Sequence, residues 1–539
     1  MSDTDPGPAI RHEIRFGDRL VRCFAERPPS VHAMFERSLA RGPDREALVF
    51  EDRRWSWSEL DAAAGRLAAS LAEDGLVAGE RVAMLLSNRP EFVTTLLAVL
   101  RLGAIAVPVS VREQADGLAY VLGQCGAAAI VFDDALADRL PAAGSPATLR
   151  LRLAASQAAA RGSDSARAPR REAAPVGEED TAVILYTSGT TGRPKGAMLS
   201  QLGIVHSSLH YEHHMRLGPD ERSVLAVPAS HVTGLVAMIT TLWRTGGTLV
   251  LVPQFKAAEF IALAARERIT HTMLVPAMYA LCLMQPEFGT AELSAWRIGS
   301  YGGAAMPRSM IEALAERLPR MTPMNAYGST ETTSPATLMP IGEQAAHLES
   351  VGRPVACAHI VVVDDDGREV PPGETGELLI GGPMVVRGYW DNPDASAAGF
   401  IAGYWRSGDL GSFDAEGYVR IHDRKKDMIN RGGYKIWSIE VENTLVGFPG
   451  VIEAAAVGVP CPVLGERVHA FVHMDPAARA ASGEADALAE AMRRFCAERL
   501  ADYKVPETVG LSETPLPRNA NGKLLKREMR GWVPAAAPR

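Results

Sequence analysis

Apolar positions along the chain recur with two periods, and the order in which those periods follow one another predicts the architecture. Helix spacing over 32–39 gives way to strand character at 47–50. Trp55, Trp57 and Leu60 then lead into a long helix ending near 74, with Ser58 as its expected N-cap. A strand at 81–85, an apolar helix at 91–102 and a strand at 104–109 continue the alternation, which implies a parallel sheet covered by helices. The apolar stretch 93–109 is interrupted by Arg101 and carries Gly103 and Pro108. It falls short of a membrane span and reads as a buried helix followed by a strand. Residues 1–30 are polar and proline-bearing and read as a loosely packed leading segment.

Between Phe132 and Tyr186 no aromatic residue occurs, and 158–175 is rich in Ala, Arg, Ser and Pro, so a flexible surface connection is expected there. Its arginines at 161–171 fit a solvated linker better than a contact with RNA or lipid. Ser200 is the expected N-cap of a helix running to about 215, closed by Leu217-Gly218-Pro219. Leu202, Val205 and Leu209 form its apolar face, with His206, His210, His213 and His214 gathered beside it. No Cys, Glu-x-x-His or second histidine cluster supplies the rest of a metal site, so this flank reads as solvated. The alternation continues through 224–227, 235–243, 247–252, 257–267, 271–275 and 296–302. From 351 to 421 glycines and prolines recur between short extended runs, at 360–364, 376–380 and 418–422, as in a small antiparallel β unit. Beyond Lys426 an α/β pattern returns at 439–445, 451–459, 468–473 and 484–500. The fold class is therefore α/β: a large domain of helix-covered sheets with a small β unit, then a smaller α/β domain.

At 539 residues the chain exceeds the size of one core, which agrees with two or more domains. A balance of 56 basic against 64 acidic residues, net −8, leaves no general electrostatic footprint for nucleic acid or an anionic membrane. The six cysteines are scattered with no Cys-x-x-Cys pair, and the N-terminus lacks the charged and apolar sections of a signal peptide. Both features point to the cytoplasm, with no integral membrane segment.

Chemistry enters at Thr181-Ala-Val-Ile-Leu-Tyr-Thr-Ser-Gly-Thr-Thr-Gly-Arg-Pro-Lys-Gly196, where a strand-like run breaks into hydroxyls, glycines and a lysine. Glycines let backbone N–H groups turn toward an anion, the hydroxyls of Thr187, Ser188, Thr190 and Thr191 donate further, and Lys195 adds a full charge. This is a phosphate cradle, and ATP its expected guest. A Walker loop is excluded, because Gly189 and Gly192 are followed by Arg193-Pro194-Lys195-Gly196 rather than Gly-Lys-Ser/Thr at the required distance.

The loop resembles that of the adenylate-forming enzymes, the superfamily of acyl-CoA synthetases, luciferases and peptide-synthetase adenylation domains. Further segments from 31 to 527 resemble that superfamily in the expected order. Asn325-Ala-Tyr-Gly-Ser-Thr-Glu-Thr-Thr333 is similar to its Tyr-Gly-x-Thr-Glu core. The resemblance puts Tyr327 and Gly328 at adenine, Thr330 at the α-phosphate and Glu331 on Mg²⁺, a cation that prefers carboxylate and phosphate oxygen. Tyr301-Gly-Gly-Ala-Ala-Met-Pro307 resembles the segment in which Gly303, Ala304 and Ala305 lie flat against adenine. Tyr404-Trp-Arg-Ser-Gly-Asp409 implies that Asp409 binds the ribose hydroxyls. Asp423-Arg-Lys-Lys426 implies Arg424 near ribose and phosphate and Lys426 at the hinge of a mobile small domain, dividing the chain into 1–425 and 426–539. The loop opening at Gly433 resembles the one facing the active site during thioester formation, although Ser438 stands where many members have proline. Lys523, in Pro517-Arg-Asn-Ala-Asn-Gly-Lys523, resembles the lysine that bridges the substrate carboxylate and the α-phosphate. Taken singly, each segment has an ordinary reading as a turn, a surface carboxylate or a basic tail; their joint order overrides it.

The expected activity is an AMP-forming acid–thiol ligase using ATP, Mg²⁺ and CoA. A carboxylate becomes an acyl-AMP with release of pyrophosphate, and the CoA thiol then displaces AMP. Val227-Pro-Ala-Ser-His-Val-Thr-Gly-Leu235 resembles the acid-pocket segment, with His231 at a gate position. The expected pocket is His231, Val232, Gly234, Tyr301, Gly302 and Thr332, which offers no cation and so favours an apolar monocarboxylate, aryl or medium-chain. The alternatives are a ligase loading a carrier-protein thiol, a dicarboxylate–CoA ligase and a non-catalytic nucleotide-binding homologue. Partner expectations are the acid, ATP and CoA, with a homodimer and a lysine acetyltransferase acting on Lys523 as further candidates.

Overall fold

The structure, a computed structural model, describes residues 7–170, 172–187, 193–518 and 524–533. Two sheets form the large domain. The six-stranded sheet runs in the order Lys195–Ser200, Thr181–Thr187, Ile105–Pro108, Arg81–Leu85, Ala129–Phe132 and Leu151–Ala154, parallel except for the first pair. The nine-stranded sheet has a parallel centre of Thr322–Tyr327, Ile298–Gly302, His271–Leu274, Arg222–Leu225, Thr248–Leu251 and Glu46–Phe50. Helices such as Pro90–Arg101 and Gln201–Met215 are buried along most of their length, because near-continuous apolar strands need cover on both faces. The expected β unit is a five-stranded antiparallel sheet that includes His359–Val363, Gly376–Gly381, Tyr404–Phe413 and Val419–Arg424. Beyond it a second five-stranded sheet, centred on Gly465–Met474 and Val451–Cys461, has its own core with Val441, Leu445, Leu488 and Met492. Among the described residues no helix is long and apolar enough to cross a membrane.

Four expectations are corrected. The leading segment is an antiparallel hairpin, Ile10–Arg15 with Arg19–Phe24, tied down by Arg27, which pairs with Glu13 at 2.8 Å and Glu178 at 2.6 Å. Its arginines mask the amphipathic alternation, in which Val21, Cys23 and Phe24 are buried. The alanine-rich connection also packs. Leu151–Ala154 extends the six-stranded sheet and helix Ala155–Ser163 sets Ala155 and Ala158 into the core, while Arg161 and Arg167 pair with Asp74 and Glu73. Small side chains here permit close helix packing. The N-cap of helix Trp57–Glu73 is Ser56 rather than Ser58: its hydroxyl accepts from Glu59 N–H at 3.2 Å and Glu59 returns the bond at 2.8 Å, a complete capping box.

The fourth correction concerns the histidine flank. His206 and His210 are fully buried, and these two and His214 accept backbone N–H bonds from distant segments, while His213 is exposed as expected. Nε2 of His206 accepts from Phe24 at 3.2 Å, that of His210 from Cys357 at 3.3 Å, and that of His214 from Ala356 at 3.2 Å. The rings thus join helix Gln201–Met215 to the leading hairpin and to the β unit, satisfying donors that burial would otherwise orphan. Among the described residues no cluster of three or more His, Cys, Asp or Glu side chains is placed to hold a metal ion. Ser200 caps this helix as expected, accepting from Gly203 N–H at 3.0 Å.

Candidate active site

Strands Thr181–Thr187, Ile298–Gly302 and Thr322–Tyr327 all point their carboxyl ends at one region, the usual ligand side of an open parallel sheet. Past Tyr327 the chain makes the tight turn Thr330–Thr332, then places Thr333 and Ser334 at φ 50° and 39°. Two successive non-glycine residues in the left-handed region cost about 1–2 kcal/mol each, a strain that typically accompanies functional turns. Glu331 stands in this turn, only 7% exposed. Its Oε1 accepts from Tyr389 Oη at 2.9 Å and from Thr187 Oγ1 at 3.5 Å, and its Oε2 accepts from Ser329 Oγ at 2.7 Å. Lys195 Nζ lies 5.3 Å from the centre of the Tyr389 ring. Tyr389 is fixed between them because it bridges Ala197 in antiparallel fashion and Trp390 N–H donates to Gly196 O at 2.7 Å.

The Glu331 carboxylate has hydroxyl donors but no Lys or Arg ion pair among the described residues. A nearly buried carboxylate without a cation suits a divalent ion, and a single carboxylate beside a phosphate cradle matches the way Mg²⁺ is held. Burial and the Glu331 charge push the Tyr389 phenol up, so it stays a donor. Sequence reasoning missed Tyr389. Its only signal was a tyrosine following a glycine in the β unit, 58 positions from its partner.

A second cluster forms where Tyr327 Oη donates to Asp409 Oδ2 at 2.7 Å and Arg424 Nε lies 3.5 Å from Oδ1. Asp409 and Arg424 are cross-strand partners in the β unit, which sets this geometry, and Ser407 Oγ accepts from Asp409 N–H at 3.0 Å. The expected adenine and ribose residues therefore meet. Gly303, Ala304 and Ala305 form an exposed ledge opening with Gly303 at φ 78°; a Cβ on Gly302 would sit 2.4 Å from Ala326 O. Gly328 packs against Pro335.

In the expected acid-pocket segment, His231 opens the turn into a π-helix at Thr233–Thr240, its carbonyl accepting from Leu235 N–H at 2.8 Å. A Cβ on Gly234 would meet Pro228 O at 2.3 Å, so only glycine lets the helix pack on that turn. Buried Asn88, another residue missed in the sequence, holds the segment: its amide donates to Val227 O at 2.9 Å and Val252 O at 3.1 Å, and its Oδ1 accepts from Ala229 N–H at 2.8 Å. Val232 packs with the core that contains Leu235 and Val236. Tyr301 departs from this group. Strand alternation turns its ring into the core on the sheet's other face, with Oη donating to Gln344 at 2.8 Å, whereas Ser300 faces Met215 of helix Gln201–Met215. Thr332 is fully buried, its hydroxyl bonded within the turn to Ser329. Thr330 is half-buried at the start of that turn.

Lys426 is exposed at the junction of the domains and its carbonyl accepts from Arg530 at 3.0 Å; partial burial of the ammonium lowers its pKa. Gly433 is exposed at φ 89°, its N–H donating to Asn430 Oδ1 at 3.2 Å. Ser188, Gly189, Thr190, Thr191, Gly192 and Lys523 lie outside the described residues.

Residues 35–390 match the family described as AMP-binding enzyme, and 440–523 match its C-terminal domain. A feruloyl-CoA synthase of Amycolatopsis sp is 34% identical over 494 residues, covering 92% of this chain and 97% of the relative. Long-chain-fatty-acid–CoA ligase FadD13 of Mycobacterium tuberculosis is 32% identical over 492 residues, covering 90% and 95%. Among solved structures, ATP-bound MatB from Rhodopseudomonas palustris superimposes with a TM-score of 0.85 at 29% identity, covering 93% of this chain and 99% of that one.

Proposed function

This chain belongs to the AMP-binding enzyme family, and from that premise we propose that it is an acid–CoA ligase acting on an apolar monocarboxylate, aryl or medium-chain. It uses ATP, Mg²⁺ and CoA. The observation that carries the reading is the convergence of Lys195, Tyr389, Glu331 and Thr187 with the Tyr327–Asp409–Arg424 cluster at the strands' carboxyl ends.

Asp409 accepts from the ribose hydroxyls, and the ledge from Gly303 to Ala305 lets adenine lie against the backbone. Lys195 and the Thr187 hydroxyl face the phosphates, with the 188–192 loop. Glu331 would hold Mg²⁺, which supplies charge neutralisation across the phosphate oxygens. Tyr389 and Ser329 keep that carboxylate oriented. Lys523 directs its charge at the substrate carboxylate and α-phosphate, where negative charge builds as the acyl-AMP forms. For the second half-reaction the small domain turns about Lys426 and presents the Gly433 face, past which pantetheine approaches the acyl carbon. The apolar core reaching Val232, Leu235 and Val236 favours an acid without a second charge.

A pyrophosphate-release screen over aryl, fatty and dicarboxylic acids tests the substrate class. Aryl or medium-chain acids are expected to respond best, and preference for a dicarboxylate would overturn that reading. Lys523→Ala is expected to slow adenylation by about 10²-fold while retaining thioester formation from supplied acyl-AMP. Equal loss of both halves would sink the two-face model. Acetylation of Lys523 removes the same charge and is expected to have the same effect. Tyr327→Phe keeps the ring but frees Asp409. Loss of one hydrogen bond worth about 1 kcal/mol is expected to raise the KM for ATP about fivefold, with kcat changed less, in initial-rate kinetics.

A further inference from the structure

A buried polar chain crosses the junction of the two domains and meets the nucleotide cluster only through the backbone of Arg424. It begins at Asp423, 1% exposed, at the end of the strand that carries Arg424. Its Oδ1 accepts from Arg424 N–H at 2.7 Å and from Ser438 Oγ at 3.0 Å, and its Oδ2 accepts from Ser438 N–H. Ser438 is fully buried and opens helix Ser438–Val446, so a carboxylate from across the hinge satisfies one of that helix's free N–H groups. The Ser438 hydroxyl also accepts from Lys526 Nζ at 2.7 Å; Lys526 in turn pairs with Glu442, one turn along the same helix, at 2.5 Å. Glu442 is itself anchored, accepting from Ala456 N–H at 2.8 Å. His422 stacks on Trp437 at 5.6 Å beside this chain.

The ends of the chain matter. Asp423 adjoins Arg424, whose guanidinium faces Asp409, and Lys526 opens the short helix Lys526–Arg530, three residues beyond Lys523. We propose that Asp423, Ser438 and Lys526 are positioning residues for the adenylation half-reaction, tying helix Lys526–Arg530, which follows Lys523 in the sequence, to the ribose-side strand. This rests on the two-half-reaction reading above. It also gives Ser438 a reason: a proline there supplies neither donor to Asp423 and no acceptor for Lys526. Removing Lys526 leaves Asp423 and Glu442 buried with no ammonium between them.

The test uses the full chain and two assays, acid-dependent pyrophosphate release and thioester formation from supplied acyl-AMP and CoA. Ser438→Pro and Lys526→Met are expected to slow pyrophosphate release about 10–100-fold while thioester formation stays within about twofold, the size of effect that misplacing a catalytic group produces. Ser438→Ala, which keeps the N–H, should lose less, and Lys526→Arg should restore most of the loss. Equal slowing of both assays, or unchanged pyrophosphate release, overturns the proposal. Should Ser438→Pro fail to fold, the Lys526→Met and Lys526→Arg pair decides. An unaltered enzyme that releases no pyrophosphate with any acid overturns the functional reading and this proposal together. An active enzyme without the asymmetry overturns this proposal alone.

Discussion

Glu331→Gln is expected to lower acid-dependent pyrophosphate release by about 10³-fold, the largest single effect in the site, because it removes charge from the group that would anchor Mg²⁺. The amide keeps the volume; its one oxygen can accept from Tyr389 or from Ser329, and its new NH2 can donate to the other hydroxyl, so the turn should survive. Raising Mg²⁺ should recover part of the lost rate. Tyr389→Phe is the graded companion: it leaves Glu331 charged but loses one donor at 2.9 Å, for an expected loss of about tenfold. Steady-state rates over a Mg²⁺ series measure both. A Glu331→Gln enzyme with near-normal rates at low Mg²⁺ would remove Glu331 from the metal role.

Folding stability is expected to drop steeply between pH 6.5 and about 4, through histidines that the fold requires to be neutral. His206 donates from Nδ1 to Leu202 O at 2.9 Å and accepts at Nε2 from Phe24 N–H, so both nitrogens are committed to the uncharged tautomer. His32 accepts from Arg101 Nε at 2.9 Å and His271 is 1% exposed beside Ser223. Burial, the main cause in each, lowers His206 to about 4 and His32 and His271 to about 3, and holds His210 well below its usual range. Unfolded histidines titrate near 6.5. Below that pH the unfolded chain binds protons that the folded chain refuses, so stability is full above 6.5 and declines toward the folded pKa values. One pH unit corresponds to about 1.4 kcal/mol per group, hence about 5 kcal/mol for four histidines at pH 5.5. Urea unfolding at pH 7.5 and 5.5 measures this. His206→Gln, which keeps an acceptor but does not titrate, should flatten the slope, and a midpoint independent of pH would refute the account.

Much of this was legible in the chain. The strand and helix order over 81–109 and 200–302 emerged largely from periodicity because buried parallel strands are continuous apolar runs and their helices carry a regular stripe. The nucleotide residues emerged from resemblance, since the loop from Thr187 and the turn around Glu331 are short segments whose chemistry is local. The misses share one character. The leading hairpin looked loose because its inner residues alternate with arginines, two of which pair with Glu178 and the Val386 carbonyl, partners remote in sequence. The histidine flank looked solvated because helical spacing shows which residues share a face but not what packs on it.

By itself, then, the sequence determined the reaction class: a phosphate loop, a Tyr-Gly-x-Thr-Glu turn, a ribose aspartate and a terminal lysine are runs of a few residues whose function follows from type and order. Tertiary structure alone decided which side chains complete them. Tyr389 reaches Glu331 because its segment bridges the strand that begins at Lys195; Tyr301 turns from the acid side because strand alternation fixes its face; Asp423 meets Ser438 because the hinge folds the small domain back. Local motifs are fixed by covalent spacing, whereas these partnerships depend on sheet register and domain packing, which no short stretch of chain contains.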